Sequence, residues 1–324
     1  MKAEIKAIEY YLPPKIEDGQ TLKEDNPDWP IEKIELKTGI KKRHIAAFDQ
    51  TAVDMAALAS NKLFDVAIQK DSIDFLILVT QSPDYVLPTS ACIVAHRLGL
   101  KESCMSFDVN LGCSGFVYGL AIAGSLIEAK LVRHGLVICS ETYTKYIDKG
   151  DRTCRPIFGD GASAVLLGPS DRDNIGPFEL GTDGSGFKDL IVPASGTRVS
   201  AEETVKNRLF MDGVKVFMFT MDMVPKSITA LLEKSKKTIA DIDLFIFHQA
   251  SRVVIDNIAR RLEIPFEKVF VNYEQIGNTV SASIPIALKD AAQQDRLQKD
   301  DLLLLAGFGV GYSWGSCLIR WEVD

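Results

Sequence analysis

The chain has no uninterrupted apolar run approaching the roughly 18 to 20 residues that a membrane span requires. Its N-terminus, MKAEIKAIEY, alternates charged with apolar residues where a signal peptide would carry an apolar core. A soluble cytoplasmic protein is therefore expected. No basic excess is present either: the net charge is −7, which argues against a nucleic-acid binder with its basic domain or stripe. There are only four histidines, and the six cysteines (Cys92, Cys104, Cys113, Cys139, Cys154 and Cys317) show no CxxC spacing. Most lie in apolar segments, as buried thiols of a reducing compartment do, so neither a structural zinc nor a disulfide framework is expected. Low-complexity tracts are also missing.

What is present is enough apolar residue, 46% of 324, to bury a large core. DFLILV (74–79), GLVICS (135–140), SAVLLG (163–168), DLFIFH (243–248), DLLLLA (301–306) and SCLIRW (316–321) read as central strands. They are continuously apolar, as strands covered on both faces are. Helix-period segments at 50–70, 89–98, 114–130, 218–235, 251–262 and 281–294 lie between them, which indicates a layered α/β fold.

The order of elements also occurs twice. SIDFLILV, a helix, SFDVN, the corner LGCSG and its helix, HGLVICSE and GDGASAVLL form one copy. DIDLFIFHQ, a helix, KVFVNY, the corner EQIGNT and its helix, KDDLLLLAGFG and GYSWGSCLI form the other. Cys113 lies 39 residues beyond Asp74 and Asn278 lies 35 beyond Asp243, so the two corners hold equivalent places. A duplicated α/β unit would bring them together near a pseudo-twofold axis. The boundary is expected in the turn-rich GPSDRDNIGPFELGTDGSG at about 170–180. That division gives halves 1–172 and 173–324, the first with the cysteine and the second with His248 and Asn278.

Three residues carry candidate chemistry. Cys113 stands where a strand hands over to a helix, and a helix N-terminus favours a thiolate. His248 closes an apolar strand, at the sheet edge where active sites of open α/β folds form. Asn278 sits at a glycine corner, where an amide either caps a helix or donates to a carbonyl gaining negative charge. His44, His96 and His134 read as structural or solvated. A papain-like arrangement of Cys, His and Asn is one possibility, but the CGSCW-type context is missing and the duplicated α/β pattern disagrees. GFGVG follows a strand as a dinucleotide fingerprint does, yet it leads into YSWGSCLIRW, another strand, where the fingerprint requires a helix.

DVNLGCSGF, IDLFIFHQAS, IGNTVSAS, FGDGASAVLL, GFGVGYSWGS and TGIKKRHIA together resemble the motifs of β-ketoacyl-acyl carrier protein synthase III and its thiolase-superfamily relatives, in the family's order along nearly the whole chain. The resemblance implies a thiolase-like five-layered αβαβα fold of two pseudo-duplicated halves, acting as a homodimer. It implies a decarboxylating Claisen condensation without a metal or bound cofactor, an acyltransferase-class (EC 2.3.1) activity of fatty-acid or polyketide-type biosynthesis. Cys113 would hold an acyl group taken from acyl-CoA, and the backbone N–H groups of Cys113 and Val310 would hold the oxyanion. His248 and Asn278 would stabilise the enolate formed as a malonyl thioester, on acyl carrier protein or CoA, loses CO2.

By the same resemblance, Trp29, Lys37 and Arg152 stand at positions that grip coenzyme A, and Ser251 and Arg252 at pantetheine or carrier-protein contacts. Leu87 and Phe217 would border the acyl pocket. Lys37 replaces a common Arg, HQAS replaces HQAN, Val253 replaces an Arg, and Leu87 replaces a Phe that reaches into the partner subunit. These departures suggest a specialised member. The glutamate base of hydroxymethylglutaryl-type relatives is Gln81 here, which cannot take a proton. The alternatives are an acyltransferase that discharges Cys113 onto an alcohol or amine, and a non-catalytic partner subunit.

Overall fold

Side chains of a strand alternate between its faces, so a strand apolar at every position must be covered on both sides. The computed structural model, which describes residues 2–193, 195–197 and 208–323, shows both covers. In chain order the strands are β1 (Lys2–Tyr11), β2 (Lys15–Asp18), β3 (Lys42–Ile45), β4 (Phe75–Val79), β5 (Met105–Val109), β6 (Gly135–Glu141) and β7 (Gly161–Ser170). Then follow β8 (Ile175–Thr182), β9 (Leu190–Ile191), β10 (Phe210–Met211), β11 (Leu244–Phe247), β12 (Leu302–Gly309) and β13 (Ser313–Arg320). The helices are α1 (Gly19–Asp25), α2 (Ile31–Thr38), α3 (Ala52–Val66), α4 (Ser90–Leu98), α5 (Gly115–Glu128), α6 (Gly213–Ser235), α7 (Arg252–Arg261), α8 (Tyr273–Ile276) and α9 (Ser283–Gln293).

Phe75, Ile77 and Val79 of β4 point into a central core shared with α5 and α9, while Leu76 and Leu78 point to an outer core shared with α3 and α4. In the second sheet, Leu244 and Ile246 of β11 join the central core, and Phe245 and Phe247 pack outward with α6 and α7. The layers therefore run α3 and α4, first sheet, α5 and α9, second sheet, α6 and α7. This is the five-layered αβαβα arrangement.

The first sheet has the order β1-β7-β6-β4-β5 and the second β8-β13-β12-β11. In both, the first two pairings are antiparallel and the third is parallel. The parallel pair β4–β5 has its counterpart in a single parallel bridge between Phe245 and Val269, so KVFVNY is not the strand its sequence predicts. Gln249 explains how that segment is held: its amide donates to the carbonyls of Phe247 and Phe270 and accepts from the Asn272 N–H at 2.9 Å.

Three further differences have local causes. Residues 175–182, expected to be turn, form β8, whose partner β13 lies far along the chain. The charged and apolar N-terminal alternation becomes β1, a strand with one face in the central core. α6 begins at Gly213, before the expected 218, because the Asp212 carboxylate caps it by accepting from the Lys215 N–H at 3.1 Å.

Candidate active site

The Cys113 corner follows β5 and precedes α5, whose N-cap is Ser114. The corner is pressed tightly against the end of β12. A Cβ on Gly309 would stand 3.1 Å from the Cys113 sulfur, and one on Gly307 would stand 2.5 Å from the Cys113 carbonyl oxygen and 2.9 Å from Ser114 Cα. Ser114 and Ser313 hydroxyls are 2.7 Å apart and lock the same junction. Gly307→Ala must move backbone, so it is expected to cost about 1–3 kcal/mol of stability and to lower the urea midpoint. An unchanged midpoint would contradict this close approach.

Cys113 is buried in a small apolar cluster with Tyr143, Ile147, Cys154, Phe158 and Val280, against which Val310 packs. Burial and the carboxylate of Glu141 push its thiol well above the ordinary range, while its own backbone N–H works the other way. Burial and that carboxylate both oppose the lowering that the helix N-terminus gives. Among the described residues, no side-chain hydrogen bond joins the sulfur to His248 or Asn278, so no papain-type ion pair is present at rest.

His248 follows β11, is buried, and donates its backbone N–H to the Ala306 carbonyl at 2.8 Å. Its ring stands edge-on to Phe308, with centroids 5.6 Å apart. Burial drives its pKa down to about 3, against a contribution from the Val280 backbone, so the imidazole is neutral near pH 7. Nδ1 lies 2.7 Å from the Ser283 hydroxyl at the start of α9. With that hydroxyl donating to Nδ1, the ring proton sits on Nε2.

Asn278 is buried in the turn after α8, and its orientation is fixed because Oδ1 accepts from the Val280 N–H at 2.8 Å. It does not cap α9, whose N-cap is Ala282. Val280 itself has φ +54°, a left-handed conformation that a β-branched residue adopts only under strain. The Asn278 Nδ2 is 3.3 Å from His248 Nε2. In the tautomer with the ring proton on Nε2, these two N–H groups cannot bond each other, and both can donate to one acceptor placed between them. A bridge between Phe158 and Asn278 and the packing of Val280 beside Cys113 bring this donor pair and the thiol to one region.

The other expected residues lie apart from this centre. Trp29 is buried along one wall of a surface groove of about 610 Å³ that Lys41 and Lys42 also line. Lys37 and Arg152 are exposed. The segments near Trp29 and Arg152 meet through the Arg155–Asp25 ion pair at 2.5 Å and a hydrogen bond from Asn26 to the Lys149 carbonyl. Ser251 is buried as the N-cap residue of α7, and Arg252 reaches back to the end of α2, against Gly39 and the Leu36 carbonyl. Leu87 is 79% exposed in an apolar loop with Tyr85 and Val86. Phe217 is half-buried, and it is its neighbour Val216 that packs against the Cys113 cluster.

Sequence reasoning missed Ser283, which holds His248, and Glu141, whose carboxylate lies beneath the site. A serine opening the helix after IGNTV was the available signal for the first. Asp160 of FGDGAS is also buried; it accepts from the Ala46 and Thr144 N–H groups and so pins that motif to the end of β3.

Comparison with known proteins agrees with this arrangement. Residues 107–184 match the model of 3-oxoacyl-(acyl-carrier-protein) synthase III, and residues 232–321 match that family's C-terminal model. A β-ketoacyl-acyl-carrier-protein synthase III of Natranaerobius thermophilus is 40% identical over 317 residues, 94% of each chain. A crystal structure of a 3-oxoacyl-(acyl-carrier-protein) synthase III superposes with TM-score 0.95 at 42% identity, covering 99% of this chain and 100% of that one. The priming β-ketosynthase of a polyketide biosynthetic pathway superposes with TM-score 0.94 at 31% identity, covering 99% and 97%. The chain thus has the thiolase fold and belongs to the β-ketoacyl-acyl-carrier-protein synthase III family of condensing transferases.

Proposed function

We propose that the protein condenses an acyl group carried on Cys113 with a malonyl thioester, releasing CO2 and a 3-oxoacyl thioester. The observation that carries this reading is the closeness of His248 Nε2 and Asn278 Nδ2, 3.3 Å apart and buried beside a cysteine corner, where both can donate to one oxygen. In the first step the Cys113 sulfur bonds to the acyl carbon of an acyl-CoA, the C–S bond to CoA breaks, and the thiol proton leaves with CoA. In the second, the bond to the malonyl carboxylate breaks, CO2 departs, and its electron pair becomes an enolate whose oxygen the donor pair holds. The enolate carbon then attacks the acyl carbon, and the Cys113 sulfur leaves and takes a proton from solvent. The N–H groups of Cys113 and Val310 would hold the oxyanion of each tetrahedral intermediate. Gly309 against the sulfur supports this, because it places the Val310 segment beside the reacting atom.

An acyl carrier protein as extender donor and a homodimer complete the reading. The exposed apolar loop at Tyr85, Val86 and Leu87 supports a partner subunit there. The groove beside Trp29, Lys41 and Lys42 supports a coenzyme A handle, with Lys37, Arg152, Ser251 and Arg252 around the approach. Leu87 would border the partner subunit's acyl group, and Phe217 the acyl tunnel of its own chain. We read 1–172 and 173–324 as the two halves, since β7 ends at Ser170 and β8 begins at Ile175. The test is to incubate the protein with a panel of acyl-CoAs, take the intact mass, and add malonyl-CoA or malonyl carrier protein. A covalent acyl adduct discharged with CO2 release supports condensation; an adduct discharged onto an alcohol without CO2 overturns it.

A further inference from the structure

Glu141 ends β6 with no exposed surface, and every group that bonds it is neutral. Its carboxylate accepts from the Ser82 hydroxyl at 2.7 Å, the Ser281 hydroxyl at 2.8 Å and the Gln81 N–H at 3.1 Å. These donors belong to both sides of the site. Gln81 follows β4, and its side-chain oxygen crowds Gly112: a Cβ there would come within 2.5 Å. Ser281 lies three residues beyond Asn278, in the turn that leads to Ser283 and so to His248. One carboxylate thus ties the cysteine corner to the turn that carries the donor pair.

We propose that Glu141 is a positioning residue that fixes the two reactive corners relative to each other through these hydrogen bonds; while ionised, the same carboxylate disfavours a thiolate at Cys113. A carboxylate of this kind has no cation to stabilise it, and a charge buried without one raises the pKa of any acid near it. The titratable groups around it are Cys113, Cys139, Tyr143 and Tyr146, which its charge pushes up, and Asp160, which pushes Glu141 up in turn. Burial raises Glu141 to about 7, with Ser82, Ser281 and Gln81 opposing, so its charge is lost as pH falls through neutrality. A thiol kept protonated resists oxidation and alkylation in the unloaded enzyme.

The experiment follows the rate of Cys113 alkylation by iodoacetamide against pH in the full chain, read by mass of the Cys113 peptide because exposed Cys92 is alkylated too. Glu141→Gln keeps the shape and removes the charge, so Cys113 should be alkylated faster above neutral pH, by up to about tenfold if the charge is worth one pKa unit, and at the wild-type rate well below pH 7. Glu141→Asp keeps the charge and shortens the reach, so its profile should stay with the wild type while condensation slows. If Glu141→Gln does not fold, Ser82→Ala combined with Ser281→Ala substitutes for it. Removing two donors favours the neutral carboxyl, and alkylation above neutral pH should again be faster. An unchanged alkylation rate above neutral pH in the charge-neutral variant, or full condensation by Glu141→Asp, overturns the proposal. The condensation arm rests on the proposed function and the alkylation arm does not. A wild type that never condenses therefore sinks the function and leaves the alkylation rates to be judged alone.

Discussion

Cys113→Ala should form no acyl adduct with any acyl-CoA and should retain less than about one part in 10⁴ of the condensation rate, the scale on which covalent catalysis fails when its nucleophile is removed. The reason is positional as well as chemical. Cys113 is the cysteine packed against Gly309 at the junction of β5, α5 and β12, whereas Cys139 and Cys317 lie in the central core. Neither can take over. Intact mass after incubation with an acyl-CoA checks the adduct, and circular dichroism checks that the fold survives a one-atom deletion. An equal adduct on the variant would place the acyl group elsewhere.

His248→Ala and Asn278→Ala should give the opposite pattern, with acylation of Cys113 kept and decarboxylation of the malonyl thioester slowed by about 10²–10³ in each. Each variant removes one of two donors aimed at the same oxygen and leaves the thiol's own surroundings in place. Neutral His248 carries one ring N–H, and a Ser283 hydroxyl donating to Nδ1 across 2.7 Å places it on Nε2. Ser283→Ala should therefore reproduce part of the His248→Ala defect by freeing the tautomer. Single-turnover measurement of the two half-reactions separates them. Loss of acylation with decarboxylation intact would reverse the division of roles.

Much of this was legible in the chain because burial on both faces writes itself into a strand as an unbroken apolar run. β4, β6, β11 and β12 are of that kind, and their repetition placed Cys113 and Asn278 at matching corners. β8 was hidden because its side chains are mostly half-exposed and its pairing partner β13 is remote in sequence. KVFVNY looked like a strand by composition, yet Gln249 takes the hydrogen bonds a full ladder would have made. At the site, residue types pointed to a candidate nucleophile and candidate donors but not to their electrical setting. Glu141 reads in sequence as a polar strand end, and only the fold shows that it is buried and that it accepts from the Ser281 hydroxyl, remote in the chain. The strain at Val280 likewise has no sequence signature, since nothing in IGNTVSAS announces a valine at positive φ.

The central claim is that carbon–carbon bond formation is driven by CO2 loss at the acylated enzyme, and one measurement addresses it directly. Acyl-Cys113 enzyme, freed of excess acyl-CoA, is mixed with malonyl thioester labelled in its free carboxylate. The acyl adduct, the labelled CO2 and the 3-oxoacyl product are then followed in the same samples. The account predicts that one CO2 and one 3-oxoacyl thioester appear for each acyl group lost from Cys113, with the same time course. Adduct lost without CO2, or CO2 released while the adduct persists, would contradict it.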